Sequence, residues 1–421
     1  MLPFPKIAGS RDPNRREFLA VSGAAALGAA LPLPNLSQAP KRVAMVGTGV
    51  RGINMWGRSV ARDYGDVVNF VGLCDINPGR LAYGREYIGV DCPTFTDFDE
   101  MMRATSPEIL LVMTMDSTHD QFIVGGMEHG ADIVTEKPFT TDAVKLQSIL
   151  DAQNRTGRGI TVTHNYRYAP HRERIKQLLM ENRIGDVTSV DFHWYLDIYH
   201  GAAYFRRWHG KERFSGTLFV HKACHHFDLL NWWIDSEPSV VFANGELEHY
   251  GHNNAFRSTH CRECPHQQEC DFHWDITQDD ALMRLYVDHE QHDGYLRDGC
   301  VWSNDIDIFD KMSAQIRYMN GVHVTYSCTT YSPYEGYRIA FNGTKGRLEA
   351  WIKERQPWEA ESYDELRVTD NFGETELIRI PHRGGGHGGA TPGCGTVSSV
   401  TRRDRTLTDR PRTPGEVPWQ S

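Results

Sequence analysis

The sequence predicts an α/β protein: an N-terminal doubly wound parallel sheet, followed by a C-terminal α/β domain with an open, mainly antiparallel sheet. Three observations predict it. Residues 42–75 read as strand, glycine turn, helix, strand and terminal carboxylate; apolar runs alternate with helical patterns up to residue 163; beyond it, short strands follow one another across turn residues.

The run at 42–46 leads directly into Gly47, Thr48, Gly49, Val50, Arg51 and Gly52, a Gly-x-Gly-x-x-Gly turn. Gly47 permits the tight turn, Gly49 lets backbone approach a pyrophosphate, and Gly52 lets the next helix pack on its strand. The N–H groups of Val50 and Arg51 open that helix and face the phosphates. Residues 69–74 form the second strand and Asp75 ends it, where a carboxylate accepts from both adenosine ribose hydroxyls. This favours NAD; Arg80, close in sequence, leaves NADP as the lesser alternative. Further strands are expected at 109–114, 132–135 and 159–163, with helices at 118–129 and 142–156 between them, completing a Rossmann domain over 41–163.

Ligands of such sheets sit beyond the carboxyl ends of the strands. The strand at 132–135 runs into Glu136, Lys137 and Pro138, which points Lys137 at the nicotinamide crevice, where an amine can bind a substrate hydroxyl and share in proton transfer. The strand before it ends in Thr114, Met115, Asp116, Ser117, Thr118 and His119, polar groups fit to line the same cleft. After residue 163, strands are expected at 186–195, 239–248, 314–320, 322–329, 337–341 and 346–351, giving a second domain over 164–383.

These motifs resemble those of the Gfo/Idh/MocA oxidoreductase family. The glycine turn, Glu136-Lys137-Pro138, Asn165-Tyr166-Arg167-Tyr168-Ala169-Pro170 and Cys224-His225-His226-Phe227-Asp228 follow in that family's order over 41–351. The resemblance implies oxidation or reduction of a sugar or polyol hydroxyl with NAD or NADP, and assembly as a homo-oligomer. It makes Lys137 and His225 catalytic, places Thr114, His119 and Glu136 beside the cofactor, and gives Asn165, Arg167, Tyr168 and Asp228 to the substrate. One position departs: where the family commonly has aspartate, four residues before the histidine, this chain has His221, followed by Lys222. His221 is expected to bind substrate, although its i, i+4 spacing to His225 also suits a metal. Two alternatives accompany the dehydrogenase: a redox-neutral glycosidase or epimerase holding its cofactor tightly, and an inactive sugar-binding protein.

Cys261, Cys264, Cys270 and Cys300 suggest a structural zinc, with disulfides as the alternative. Residues 1–39 carry Arg15-Arg16 followed by Phe18-Leu19 and a small-residue apolar stretch, which looks like a twin-arginine export signal. An exported protein, periplasmic or extracellular, and contact with that export machinery are therefore expected. A net charge of −10 argues against nucleic acid as a partner. Residues 384–421 are Gly-, Arg-, Thr- and Pro-rich and are expected to be irregular; a reading-frame shift after Gly389 would explain their composition.

Overall fold

The computed structural model describes residues 39–382. The expected export signal, except Ala39, and the expected irregular tail lie outside them. Among the described residues no helix is long and apolar enough to cross a membrane.

The first sheet contains β1 (Lys41–Val46), β2 (Val68–Cys74), β3 (Thr94–Phe95), β4 (Ile109–Val112), β5 (Asp132–Thr135) and β6 (Ile160–Val162). All pair in parallel in the order β3-β2-β1-β4-β5-β6. The order reverses between β1 and β4, which opens the ligand crevice beyond their carboxyl ends. Gly47 leaves β1 with φ 94°, and a Cβ there would lie 2.5 Å from the Met113 carbonyl oxygen, so both backbone and space demand glycine. The following helix opens as a π-helix, Gly52–Arg58, and continues as α-helix Ser59–Tyr64.

The second sheet contains β7 (Val187–Asp197), β8 (Pro238–Glu246), β9 (Lys311–Tyr318), β10 (His323–Ser332), β11 (Glu335–Gly343), β12 (Gly346–Arg355), β13 (Tyr363–Asp370) and β14 (Thr375–Pro381). Its order is β14-β13-β12-β11-β7-β10-β9-β8, antiparallel except for β7 and β10. Period-two alternation sends Val190, Phe192, Trp194 and Leu196 of β7 into the core and leaves Asp191, His193 and Tyr195 on the other face. Helices Pro170–Met180 and Cys224–Ile234 cover the inner face through Ile175, Leu178, Leu229, Leu230 and Trp233. β8 is an edge strand with Val240, Val241 and Phe242 exposed.

β3, β13 and β14 were not expected from the sequence. β3 has two residues, and β13 and β14 carry Glu and Arg at the far edge, where only Leu366 and Val368 are buried. Between β8 and β9 a long insertion of short helices folds back across the molecule. Asp310 secures its start by accepting from the N–H groups of Glu248, His249 and Tyr250, and Leu285 and Tyr286 complete the core of the parallel sheet.

Candidate active site

Lys137 lies just beyond β5, at the carboxyl end of the parallel sheet. Its Nζ donates to the His221 carbonyl oxygen at 2.8 Å and lies 3.4 Å from His221 Nε2. His221 Nδ1 is 2.5 Å from Oδ2 of Asp116, which follows β4. Carboxylate, imidazole and amine therefore form one row. Burial pushes the Asp116 carboxyl well above its usual range. Burial, reinforced by Lys137, Arg207 and Lys222, holds His221 well below 6.5. Both shifts favour a pair with one shared proton and no net charge. In that state Nε2 carries a proton; it accepts one on the Lys137 side only when Asp116 is ionised and takes the Nδ1–H, with the Lys137 amine as counter-charge.

His225 lies elsewhere in the cleft. Helix Thr217–His221 ends before helix Cys224–Ile234 begins, so the expected i, i+4 geometry is interrupted at Lys222 and Ala223. The His225 ring stacks on Tyr166 at 4.1 Å and meets His164 edge-on at 6.0 Å. Lys222 is buried, with Nζ donating to the Tyr166 hydroxyl at 2.9 Å. Asp228 accepts both arms of the Arg167 guanidinium, at 2.7 and 2.5 Å, and Arg167 lies over Trp232. Asn165 is buried in the short 3-10 turn that also holds half-buried Tyr168, which packs against the parallel-sheet core.

The residues expected around the cofactor divide into two sets. Gly47, Gly49 and Gly52 shape the turn, and a Cβ on Gly52 would lie 2.4 Å from the Gly47 carbonyl oxygen. Glu136, by contrast, accepts from Arg51 Nε at 2.8 Å and Trp56 Nε1 at 2.7 Å, bracing the helix that follows the turn. Burial opposes its charge, but Arg51, Trp56 and Lys137 outweigh burial and hold its carboxyl below the usual value. His119 is buried with Nδ1 2.8 Å from the Pro138 carbonyl oxygen and Nε2 3.3 Å from that of Thr114, clamping the ends of β4 and β5 together. Asp75 is buried too: Oδ2 accepts from Thr48 N–H and hydroxyl, and Oδ1 accepts from Asn77 N–H and Arg80. Arg80 also pairs with Asp293 of the insertion at 2.6 Å.

The insertion reaches the glycine turn itself, which nothing in the sequence signals. The Tyr286 hydroxyl accepts the Val50 N–H at 2.9 Å and lies 3.4 Å from where a Cβ on Gly49 would be. Asn77 Nδ2 donates to the His289 carbonyl oxygen at 2.9 Å, and Arg284 pairs with Glu86. Tyr204, Arg207, His209 and Arg297 also escape sequence reasoning, since none belongs to a recognisable motif.

The zinc expectation is corrected. Cys261, Cys264, Cys270 and Cys300 line one small cavity of about 10 Å³ with Phe272 and Trp302, and all four thiols are free. Among the described residues no group of three or more His, Cys, Asp or Glu side chains is arranged to hold a metal, either here or at His221 and His225. At the cysteines, the Arg206 guanidinium donates to Cys261 Sγ at 2.9 Å, so that sulfur already has a cationic partner.

Comparison with known proteins agrees with this architecture. Residues 41–164 match the family model described as "Oxidoreductase family, NAD-binding Rossmann fold", and residues 176–367 match "Oxidoreductase family, C-terminal alpha/beta domain". The chain is 34% identical over 372 residues to "Putative oxidoreductase YteT" of Bacillus subtilis (strain 168), covering 84% of this chain and 87% of that protein. It is 27% identical over 201 residues to inositol 2-dehydrogenase of Agrobacterium fabrum, spanning 47% of this chain and about half (55%) of that relative. Among solved structures, levoglucosan dehydrogenase in complex with NADH and levoglucosan shares the fold with a TM-score of 0.62 at 16% identity, covering 86% of this chain and 89% of that one. The myo-inositol 2-dehydrogenase from Lactobacillus plantarum does so with a TM-score of 0.58 at 16% identity, covering 85% and 87%. With the parallel sheet, its glycine turn and the lysine beyond β5 all in place, the chain belongs to the Gfo/Idh/MocA family of oxidoreductases, with an NAD-binding Rossmann fold.

Proposed function

We propose that this chain is an NAD-dependent dehydrogenase acting on a hydroxyl of a sugar or polyol. The observation that carries the reading is the Asp116–His221–Lys137 row at the carboxyl edge of a dinucleotide-binding sheet. The Val50 N–H, once released by the Tyr286 hydroxyl, and the side-chain-free Gly49 suit a pyrophosphate. A nicotinamide cofactor held by this turn would supply the acceptor for the hydride on the carbon that carries the hydroxyl, leaving a carbonyl. Lys137 Nζ hydrogen-bonds the substrate oxygen, and the hydroxyl proton passes by way of that amine to His221 Nε2. In the reacting form Asp116 is ionised and accepts the Nδ1–H, which leaves Nε2 as the acceptor and Lys137 as the counter-charge. His225, packed on Tyr166, positions this wall of the cleft.

NAD is preferred over NADP because Asp75 and Asp293 both crowd Arg80 and leave no unneutralised cation for a 2′-phosphate. The dehydrogenase is preferred over a redox-neutral glycosidase or epimerase because the Tyr286 hydroxyl competes for the phosphate turn, which favours an exchanging cofactor. Export by the twin-arginine route and homo-oligomerisation stand beside this reading as proposals.

The test is NADH formation at 340 nm with a panel of sugars and polyols. Lys137→Met should lower kcat/KM at least about a hundredfold, the scale of one general acid–base contribution, while NADH still quenches protein fluorescence. Equal activity in the variant, or release of phenol from aryl glycosides without added NAD⁺, would overturn the proposal.

A further inference from the structure

The cleft beside Lys137 holds more positive charge than its carboxylates neutralise. Arg207 follows helix Ile198–Arg206, which Asp197 caps at its start and which Gly201 allows to press against the Thr330 carbonyl of β10. Its Nε donates to the Ala203 carbonyl oxygen at 2.6 Å, and its guanidinium lies 5.5 Å from the centre of the Tyr204 ring. Tyr204 contacts both His209 and His221, with ring centres 5.5 and 5.3 Å away, which places Arg207 on the catalytic side. Arg297 enters from the insertion. It lies 4.9 Å from the Tyr286 ring, and its buried Nε has no partner.

Among the described residues neither guanidinium pairs with a carboxylate, whereas several other arginines near the glycine turn, the substrate wall and the insertion do. Arg51 has Glu136, Arg80 has Asp75 and Asp293, Arg167 has Asp228, and Arg262 has Asp298 and Glu290. Burial and then Arg297 bring Arg207 down to about 10, and both cations bear on His209. Two like charges half-buried together in a chain of net charge −10 are costly unless an anion joins them. Aromatic faces compensate only part of that cost.

We propose that Arg207 and Arg297 form the subsite for the carboxylate of an acidic sugar, a uronic or aldonic acid, whose hydroxyl is presented to Lys137 and His221. This rests on the dehydrogenase reading and narrows its substrate. An arginine fork matches a carboxylate in plane, and a carboxylate bound there restores the local charge balance. The cofactor pyrophosphate is the other oxyanion within reach. Arg297 lies over Tyr286, which holds the Val50 N–H, whereas Arg207 lies over Tyr204, which packs against His221, so the NADH affinity of the two variants separates the two oxyanions.

The experiment compares acids with their neutral counterparts on the full-length protein in the presence of NAD⁺: glucuronate and gluconate against glucose, galacturonate and galactonate against galactose. Thermal shift and NADH formation are both read, and NADH affinity is measured separately by fluorescence. At least one acid should stabilise the protein, or turn over with kcat/KM at least about tenfold higher, relative to its neutral counterpart. Arg207→Gln and Arg297→Gln should each remove about tenfold or more of that preference by raising KM, with NADH affinity unchanged. The inference falls if no acid is preferred while NADH binds, or if the variants weaken NADH instead, which would return the arginines to the pyrophosphate. Failure to bind NADH at all would overturn the dehydrogenase reading beneath it.

Discussion

His221 stands where the family pattern expects a carboxylate, and its partner Asp116 comes from the turn after β4 of the parallel sheet. Because burial and neighbouring cations hold the ring well below 6.5, it stays neutral and able to accept a proton across the neutral range. The expected kcat/KM profile is therefore flat through pH 6.5, with its acid limb well below that value. On the alkaline side, burial resists ionisation of Tyr204, but His200, Lys222, Lys137 and Arg207 outweigh it and bring the hydroxyl down to about 8. A limb near pH 8 should appear and vanish in Tyr204→Phe. His221→Asn should cost about 10²–10³ in kcat and His225→Asn mainly raise KM, read from initial rates at saturating NAD⁺; the reverse pattern would return the base to His225. Lys137 was legible because its strand and its proline are local in sequence. The Asp116–His221 contact, 105 residues apart, was not, and the short helix that ends at His221 separates it from His225 without any glycine or proline to announce the break.

Among the elements, the insertion between β8 and β9 is where reading from sequence stopped soonest. Its cysteines drew attention to themselves, yet its tyrosine does the more consequential work, 236 residues from its partner Val50. Contacts across such a separation leave no periodic trace. A phosphate oxygen bound by the Val50 N–H would have to displace the Tyr286 hydroxyl. Tyr286→Phe removes that hydrogen bond, typically about 1 kcal/mol, and should tighten NADH binding roughly fivefold in a fluorescence titration. Weaker binding would mean that the hydroxyl holds the nucleotide rather than competing with it. The parallel strands, by contrast, were all legible except two-residue β3, because strands buried on both faces are continuous apolar runs.

At the scale of the whole molecule, buried ion pairs tie the helices to the second sheet and give stability a pH window. His200 of helix Ile198–Arg206 faces Glu335 of β11 at 2.8 Å. Burial opposes charge on both. Glu335 and Tyr204 nevertheless raise His200 above 6.5, while His200 and Lys222 bring Glu335 down to about 2. The glutamate's contribution is complete above its ordinary 4.5 and lost as pH falls toward about 2. The histidine's is complete below 6.5 and lost as pH rises through its elevated value. Tm should therefore be highest between about pH 4.5 and 6.5, and Glu335→Gln should flatten that maximum; scanning calorimetry resolves this, since a change of 1 kcal/mol moves Tm by about 2–4 °C. The two-sheet plan was readable from hydrophobic period alone, whereas β13 and β14 were masked by their charged outer faces. The border of the second sheet has its own consequence. Along β8 the backbone has β9 on one side only, beneath exposed Val240, Val241 and Phe242, and charge gathers only at the far end, where Lys311 pairs with Glu246. Such a margin is a template for any extended peptide, so crowding selects for sequences that blunt it, and a gatekeeper charge placed amid those three apolar residues would make the molecule more solitary without touching its chemistry.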